Sequence, residues 1–458
     1  MRLQDFPTLI TTEIASYLPL RDVVILAHQS ATLHYACIPQ LRRAHRQIQL
    51  SSLEDCCHGF QILLWTLRWP ALGQYVRHIE MNTSYGGDYC FDIPRPTNTR
   101  SLSDNDTNLL KDAIRRAGYE KAEFDEMWLQ ISTIPEDAST AYTSMSFTTD
   151  EEKARVTPWA QALAAIFIST SPNLESFAFA PISWMPGVTW EPRYVLKEFL
   201  ANSCRYAESF CAQGLENLRC VRLLPWGRHT HSIYAGYPLS VSIKLVGNLP
   251  AVQTCWIEDV QSLDAIEVLE PASCHFKTIR IHRSCLGFRT LGNVIRSCKK
   301  LEEFEYSFGS FQTEDWKSVI YGHDLLDALC SQAETLRVLH LDLGAQQTDV
   351  KIRNYGHTGE DTAGLADLSA MTHLGLDMDL LLYFARGLTG SDDDGHFSLI
   401  EQLPPQLECL TIYGYQPGMN AQWDEVLEEL KETIVDGDET VFTLRGVDEY
   451  LRHPMNNA

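Results

Sequence analysis

Leu336-Arg337-Val338-Leu339-His340-Leu341 reads L-x-x-L-x-L. Side chains two residues apart share one face of a strand, so Leu339 and Leu341 point to the same side of an extended segment. Leu336 enters three residues earlier, from the preceding turn. One such hexamer means little, but the apolar pattern occurs nine times. The sets are Val76-Ile79-Met81, Leu174-Phe177-Phe179, Leu218-Val221-Leu223, Val252-Cys255-Ile257, Phe276-Ile279-Ile281, Leu301-Phe304-Tyr306, Leu336-Leu339-Leu341, Met371-Leu374-Leu376 and Leu407-Leu410-Ile412. From the second set onward, first positions lie 44, 34, 24, 25, 35, 35 and 36 residues apart. This quasi-regular spacing marks a repeat.

Helical stretches fill the intervals: Val156 to Ser169 before Leu174, Phe288 to Ser297 before Leu301, and Trp316 to Cys330 before Leu336. A helix–turn–strand unit cannot bury its apolar face alone and does so by stacking on its neighbours. The expected fold is α/β: over residues 51–445, a curved leucine-rich-repeat-like solenoid with a parallel β-sheet inside and helices outside. The rival is a doubly wound sheet, which wants longer apolar strands and a Gly-rich phosphate loop at its first turn. The sequence holds no such loop.

Two stretches interrupt the array. Residues 82–152 read as an acidic insertion, with four Lys/Arg against twelve Asp/Glu in 101–152. Helices are expected there over 108–117 and 123–130. Gly390 to His396, with Asp392, Asp393 and Asp394, reads as an exposed turn. Asp424 to Ile434 should form a closing helix, Thr440 to Leu444 a last short strand, and 446–458 a tail.

Residues 1–50 read as a small three-helix unit. Pro7 suits the first turn of a helix, and Pro19 stops it. Asp22 is the expected N-cap of the second helix, Ser30 or Thr32 lies near the cap of the third, and Pro39 ends the third. Leu9, Ile10, Ile14, Leu18, Leu20, Val24, Ile25 and Leu26 cover more than one helix face. Such a surplus on a thin core packs against something else, in this chain or in another. Val24 and Ala27 are the candidates for its own core.

The chain has 458 residues, 45% hydrophobic and 21% charged, with a net charge of −23. That balance opposes nucleic-acid and anionic-membrane binding. Thirteen cysteines are scattered without a C-x-x-C pair, as expected of buried free thiols in a reducing compartment. The first apolar stretch is broken by Pro7, Thr11, Thr12 and Glu13, so no signal peptide is expected. The most apolar run, Trp159 to Ser169, is too short to span a bilayer and reads as a buried helix. A cytoplasmic or nuclear location follows as the expectation.

The N-terminal unit resembles the F-box. That family opens with Leu-Pro, runs through an Ile/Leu-rich helix to a Leu-Pro-Leu-x-Asp-Leu segment, and continues into two more helices. Here Phe6-Pro7 stands at the opening, Ile10, Glu13, Ile14, Tyr17, Leu18 and Pro19 follow in register, and Leu20-Arg21-Asp22-Val23 matches the second helix start. The resemblance implies docking on the Skp-type linker subunit of a cullin–RING ubiquitin ligase. Carried over by position, the linker-facing residues are Phe6, Pro7, Ile10, Ile14, Leu18, Pro19, Leu20 and Leu26. With the repeats, the chain resembles fungal F-box proteins with irregular leucine-rich repeats, whose repeats receive a target protein. The expectation is a substrate adaptor rather than an enzyme. The other reading is a protein-interaction scaffold with a degenerate F-box-like cap.

In each strand, residues flanking the two apolar positions point to the opposite, inner face. This nominates Arg222, Trp256, Arg280, His282, Glu303, Glu305, His340, Asp342, His373 and Asp377 as substrate-facing candidates. Arg280 and His282 stand one strand from Glu303 and Glu305, so cross-strand neutralisation is the competing role. An exposed Trp256 would be a candidate anchor, since Trp and Arg are enriched at interface hot spots, and cover by a loop is the equal alternative. No G-x-S-x-G, H-E-x-x-H, P-loop or G-x-G-x-x-G motif occurs, and Asp392 to Asp394 lack EF-hand spacing, so neither cofactor nor metal is expected.

Overall fold

The computed structural model describes residues 6–82, 99–133, 149–180, 195–205, 215–225, 235–237, 239–262, 268–309, 322–343, 364–386, 397–436 and 442–451. The turn at 390–396 lies outside them. Two units are distinguished, Met1–Gly227 with Leu249–Val252, and Arg228–Asn248 with Gln253–Ala458. The chain is α/β, and its eleven principal strands lie in parallel ladders, four in the first unit and seven in the second.

In the first unit, α1 (Thr8–Ser16), α2 (Leu20–Ala27) and α3 (Ala31–Arg46) are followed by β1 (Gln47–Gln49). Ser30 Oγ accepts the Leu33 N–H at 3.3 Å, the expected cap of α3. Two expectations fail. The cap of α2 is Pro19, not Asp22, and Asp22 stands in the first turn, where its charge suits the positive end of the helix. Pro39 does not end α3 but lies inside it. It is exposed, as is Tyr35 one turn before it, so the carbonyl that a proline leaves without a donor can be hydrated. The stretch after it forms the last turn of α3, where the Arg43 and Arg46 cations suit the dipole, while buried His45 bonds the Leu41 carbonyl at 3.0 Å and desolvation lowers its pKa.

Next come α4 (Leu53–Arg68) and β2 (His78–Met81). The insertion supplies α5 (Asp104–Arg116) and α6 (Lys121–Ser132), close to the expected helices. It is tied to the unit by specific bonds. Arg68 pairs with both carboxylate oxygens of Asp106, at 2.8 and 2.7 Å. Tyr119 donates its hydroxyl to the Val195 carbonyl at 2.7 Å. Then follow α7 (Thr149–Thr170), β3 (Ser176–Phe179), α8 (Val195–Arg205) and β4 (Cys220–Leu223). Every described residue from Trp159 to Ile168 in α7 is buried, as a helix apolar all round requires. It packs between α4 and α8. Strand order β1-β2-β3-β4 follows the chain.

The second unit holds β5 (Ala235–Tyr237), α9 (Leu239–Val246), β6 (Thr254–Glu258), β7 (Val260–Ser262), β8 (Thr278–Ser284), α10 (Phe288–Ser297) and β9 (Glu303–Phe308). It continues through α11 (Gly322–Cys330), β10 (Val338–Asp342), β11 (His373–Asp377), α12 (Met378–Arg386), β12 (Cys409–Tyr413), α13 (Ala421–Asp436) and β13 (Thr443–Arg445). Its main ladder runs β6-β8-β9-β10-β11-β12-β13, and β5 pairs separately with β7. Within each unit the strand order never doubles back, which excludes the reversal that a doubly wound sheet needs.

All nine L-x-x-L-x-L sets fall on ladder strands. Their register is unshifted across the second unit: Cys255, Ile279, Phe304, Leu339, Leu374 and Leu410 lie in one row, and Ile257, Ile281, Tyr306, Leu341, Leu376 and Ile412 in the next. Every one of these twelve side chains is at most 1% exposed. Just before most ladder strands, one carbonyl takes two N–H groups from the following repeat. Glu302 O accepts from Arg337 and Val338 at 2.8 and 3.1 Å, and Arg337 O from Thr372 and His373 at 2.9 and 3.0 Å. No helix among the described residues is long and apolar enough to cross a membrane.

Candidate functional site

The register that buries one face of the second unit's ladder also arranges the other. Trp256, Arg280, Glu305, His340, Gly375 and Thr411 form one row, flanked by Thr254, Thr278, Glu303, Val338, His373 and Cys409. Arg280 stands at the centre of the charged part. Its Nη2 lies 3.4 Å from Glu303 Oε2 and its Nε 3.3 Å from Glu305 Oε1. The same guanidinium sits 5.9 Å from the Trp256 ring centroid. His282 meets the Trp256 ring edge-on at 5.8 Å, and its Nε2 is 3.9 Å from Glu305 Oε2. Thus Trp256, Arg280, His282, Glu303 and Glu305 do come together, as cross-strand pairs. Trp256 is partly exposed.

A second group lies two strands on. The Tyr413 hydroxyl and His340 Nδ1 are hydrogen-bonded at 2.8 Å, across the intervening β11. Gly375 makes this possible. A Cβ there would strike His340 Nδ1 and lie 2.9 Å from Tyr413 Cε2. Beside this bridge, Asp377 Oδ1 accepts the Leu380 N–H at 2.9 Å and so caps α12.

The electrostatics follow from burial. Desolvation raises the Glu305 carboxyl, Arg280 pulls it back, and the Glu303 charge adds to the rise. Burial lifts Asp377 to about 7, helped by the charges of Asp379 and Asp342 and opposed by bonds to the Leu380 and Leu343 N–H groups. Tyr413 is raised by burial first, then by the charges of Asp342, Glu305 and Cys409. A mostly acidic, half-desolvated surface suits polar recognition at fixed positions.

Not every nominated residue is available to a partner. His282 and Asp342 are buried, and His282 lies within the register shift between Ile281 and Ser284. His373 is exposed and holds Thr372 Oγ1 at 2.9 Å from its Nδ1. Arg222 belongs to the first unit, in a row with Glu80 and Ala178. Among the described residues no cluster of three His, Cys, Asp or Glu could hold a metal ion.

The N-terminal candidates divide sharply. Pro7, Ile10 and Pro19 are exposed, and Phe6, Ile14, Leu18, Leu20 and Leu26 are partly buried. Leu18, Leu20 and Leu26 pack against Ala15, Val23, Val24, Ala27, Cys37, Leu41 and Leu72. Leu18 and Leu20 therefore do not simply wait for a partner, while Val24 and Ala27 are core as expected. The exposed apolar side chains are instead Leu9, Ile10, Tyr17, Ile25 and Tyr35. Of these only Ile10 is among the linker-facing candidates; Tyr17 continues the face of Ile10 and Glu13 at helical spacing and donates its hydroxyl to Glu13 Oε1 at 3.1 Å. Compared with known proteins, the chain matches no family model and no curated sequence.

Proposed function

We propose that this protein is a substrate-recognition adaptor of an SCF-type ubiquitin ligase. In this reading α1 to α3 dock on a Skp-type linker subunit, which carries a cullin, and a leucine-rich-repeat-like solenoid presents its charged strand face to a target protein. The adaptor does no chemistry and acts by raising the local concentration of the target. One observation carries the reading. Of nine large apolar side chains exposed among the described residues, five lie in Leu9 to Tyr35, on the segment with the F-box-like sequence. Large apolar side chains concentrated on one small unit mark a contact surface.

A pull-down with a purified Skp-type linker tests it. Wild type should bind, and Ile10→Asp with Ile25→Asp should abolish binding, since both side chains are exposed and the fold should survive. Absence of wild-type binding would favour the scaffold reading. That alternative has its own support: α3 packs against the 3-10 turn Pro70–Tyr75 and β1, as a cap on the first ladder would.

A further inference from the structure

In the first unit, the residues just before the strands form a row fixed by backbone bonds. Arg46 O accepts the Arg77 N–H at 3.0 Å, Arg77 O the Glu175 N–H at 2.8 Å, and Glu175 O the Arg219 N–H at 2.9 Å. These four residues therefore stand side by side, one each before β1, β2, β3 and β4. The same bonds define the matching row of the second unit: Gln253, Lys277, Glu302, Arg337, Thr372 and Glu408. That row balances two cations against two carboxylates. The first row holds three arginines and one glutamate, in a chain whose net charge is −23.

Neutralisation is confined to the middle of the row. Arg77 Nη1 lies 3.0 Å from Glu175 Oε1 and donates to Asn173 O at 3.2 Å. Arg46 and Arg219, at the two ends, are exposed and have no ion-pair partner among the described residues. Arg42, one turn before Arg46 on α3, is exposed too. It stands over the Tyr75 ring at 5.9 Å, on the turn leading into β2, and adds a cation on the Arg46 side. The turns below keep the strands in place: Asn173 Nδ2 donates to Gln74 O at 3.1 Å, and Asn217 Nδ2 to Pro172 O at 2.8 Å. The ends of the row are three strand spacings apart, about 14 Å between backbones.

We propose that this arginine row is a docking surface for a short acidic segment of another protein. An extended chain advances about 3.4 Å per residue, so carboxylates four residues apart reach Arg46 and Arg219 together. A guanidinium pairs with a carboxylate through two parallel bonds, and a backbone spacing fixed in advance lowers the cost of making both contacts. A nucleic acid fits less well. Its charge continues past the row and meets the rest of a strongly acidic chain, whereas a short segment meets the row alone. The surface stands on the first ladder's own register, so the proposal holds whether or not the protein is a ligase adaptor.

Fluorescence anisotropy of the full chain with a labelled hexaglutamate peptide tests this, with hexaglutamine and a thymidine oligonucleotide as the other probes. Hexaglutamate should bind and hexaglutamine should not. Binding should weaken as salt rises to about 0.15 M, where charges more than roughly 8 Å apart are screened. Arg46→Gln with Arg219→Gln should weaken it about tenfold, as two exposed ion pairs of ordinary strength would. Each single variant should show part of that loss, which keeps the test decisive if the double variant folds poorly. Arg337→Gln, at the matching place in the balanced row, should change nothing. No binding of hexaglutamate, equal binding of hexaglutamine, or tighter binding of the oligonucleotide overturns the proposal. So does an unchanged affinity in the folded Arg46 and Arg219 variants, or an equal loss in Arg337→Gln.

Discussion

In β10, Leu339 and Leu341 are 0% and 1% exposed, while in α1, Leu9 and Ile10 are 82% and 44% exposed. Both pairs are aliphatic side chains on regular secondary structure, so residue type does not explain the difference. The ladder repeats one solution, and each strand's apolar pair is covered by the equivalent pairs on either side. The N-terminal helices have no equivalent neighbours. Their core is a handful of residues around Val23, Val24, Ala27, Cys37 and Leu41, and the rest of their apolar surface stays outside. Repetition makes burial collective, and a solitary three-helix unit leaves apolar surface over.

The largest test of this contrast compares two truncations. Leu339→Ala should destabilise the second unit by about 3 kcal/mol, as expected for a cavity in a close-packed core. Ile10→Ala should change stability by less than about 0.5 kcal/mol, the range for surface sites. Urea unfolding followed by circular dichroism measures both. Similar losses would mean that α1 is covered and that the comparison fails.

A second contrast lies within the ladder, between its apolar face and its polar one. Asp377 is held near 7, far above an ordinary aspartate at 3.8. Between those values the folded protein keeps a proton that the unfolded chain has released. Stability supplied by this group is therefore present at low pH and falls as pH rises towards about 7, then levels off. Unfolding midpoints at pH 5.5 and 8 should show that decline in wild type and a smaller one in Asp377→Asn. Asparagine can still cap α12 and carries no charge to desolvate. An identical pH dependence in the variant would place the titration elsewhere.

These differences also explain what the sequence made legible. All nine strands were readable because the same spacing recurs, and α10 was read with the ends it has, Phe288 and Ser297. β1 was not, since Gln47-Ile48-Gln49 offers one apolar residue and no repeat context. Pro39 misled because a proline in an exposed helix face costs less than a general rule assumes. For the candidate site, period-two alternation placed Arg280 beside Glu303 and Glu305. It could not show depth: His282 and Asp342 are buried, and Trp256 is half covered. Nor could one strand reveal the Tyr413–His340 bond, which spans three strands and depends on a missing Cβ at Gly375.

The smallest test sharpens the account of the N-terminal helices. If their burial is thin, local backbone bonds must contribute a larger share of their stability than they do in the ladder. α1 and α2 have no side-chain cap bond, since Pro7 and Pro19 occupy their N-caps. α3 has one, from Ser30. It also anchors the unit, because α1 and α2 both pack on it. Ser30→Ala should cost about 1 kcal/mol. Hydrogen exchange should locate that loss: amides of α1, α2 and the first turns of α3 should lose protection together, while those of β9 to β12 stay unchanged. Faster exchange confined to Ala31 to Leu33 would mean that the three helices do not open as one unit. Loss of protection that also reached β9 to β12 would mean that the helices and the second ladder share a single cooperative transition, and the contrast between them would then be one of exposure alone.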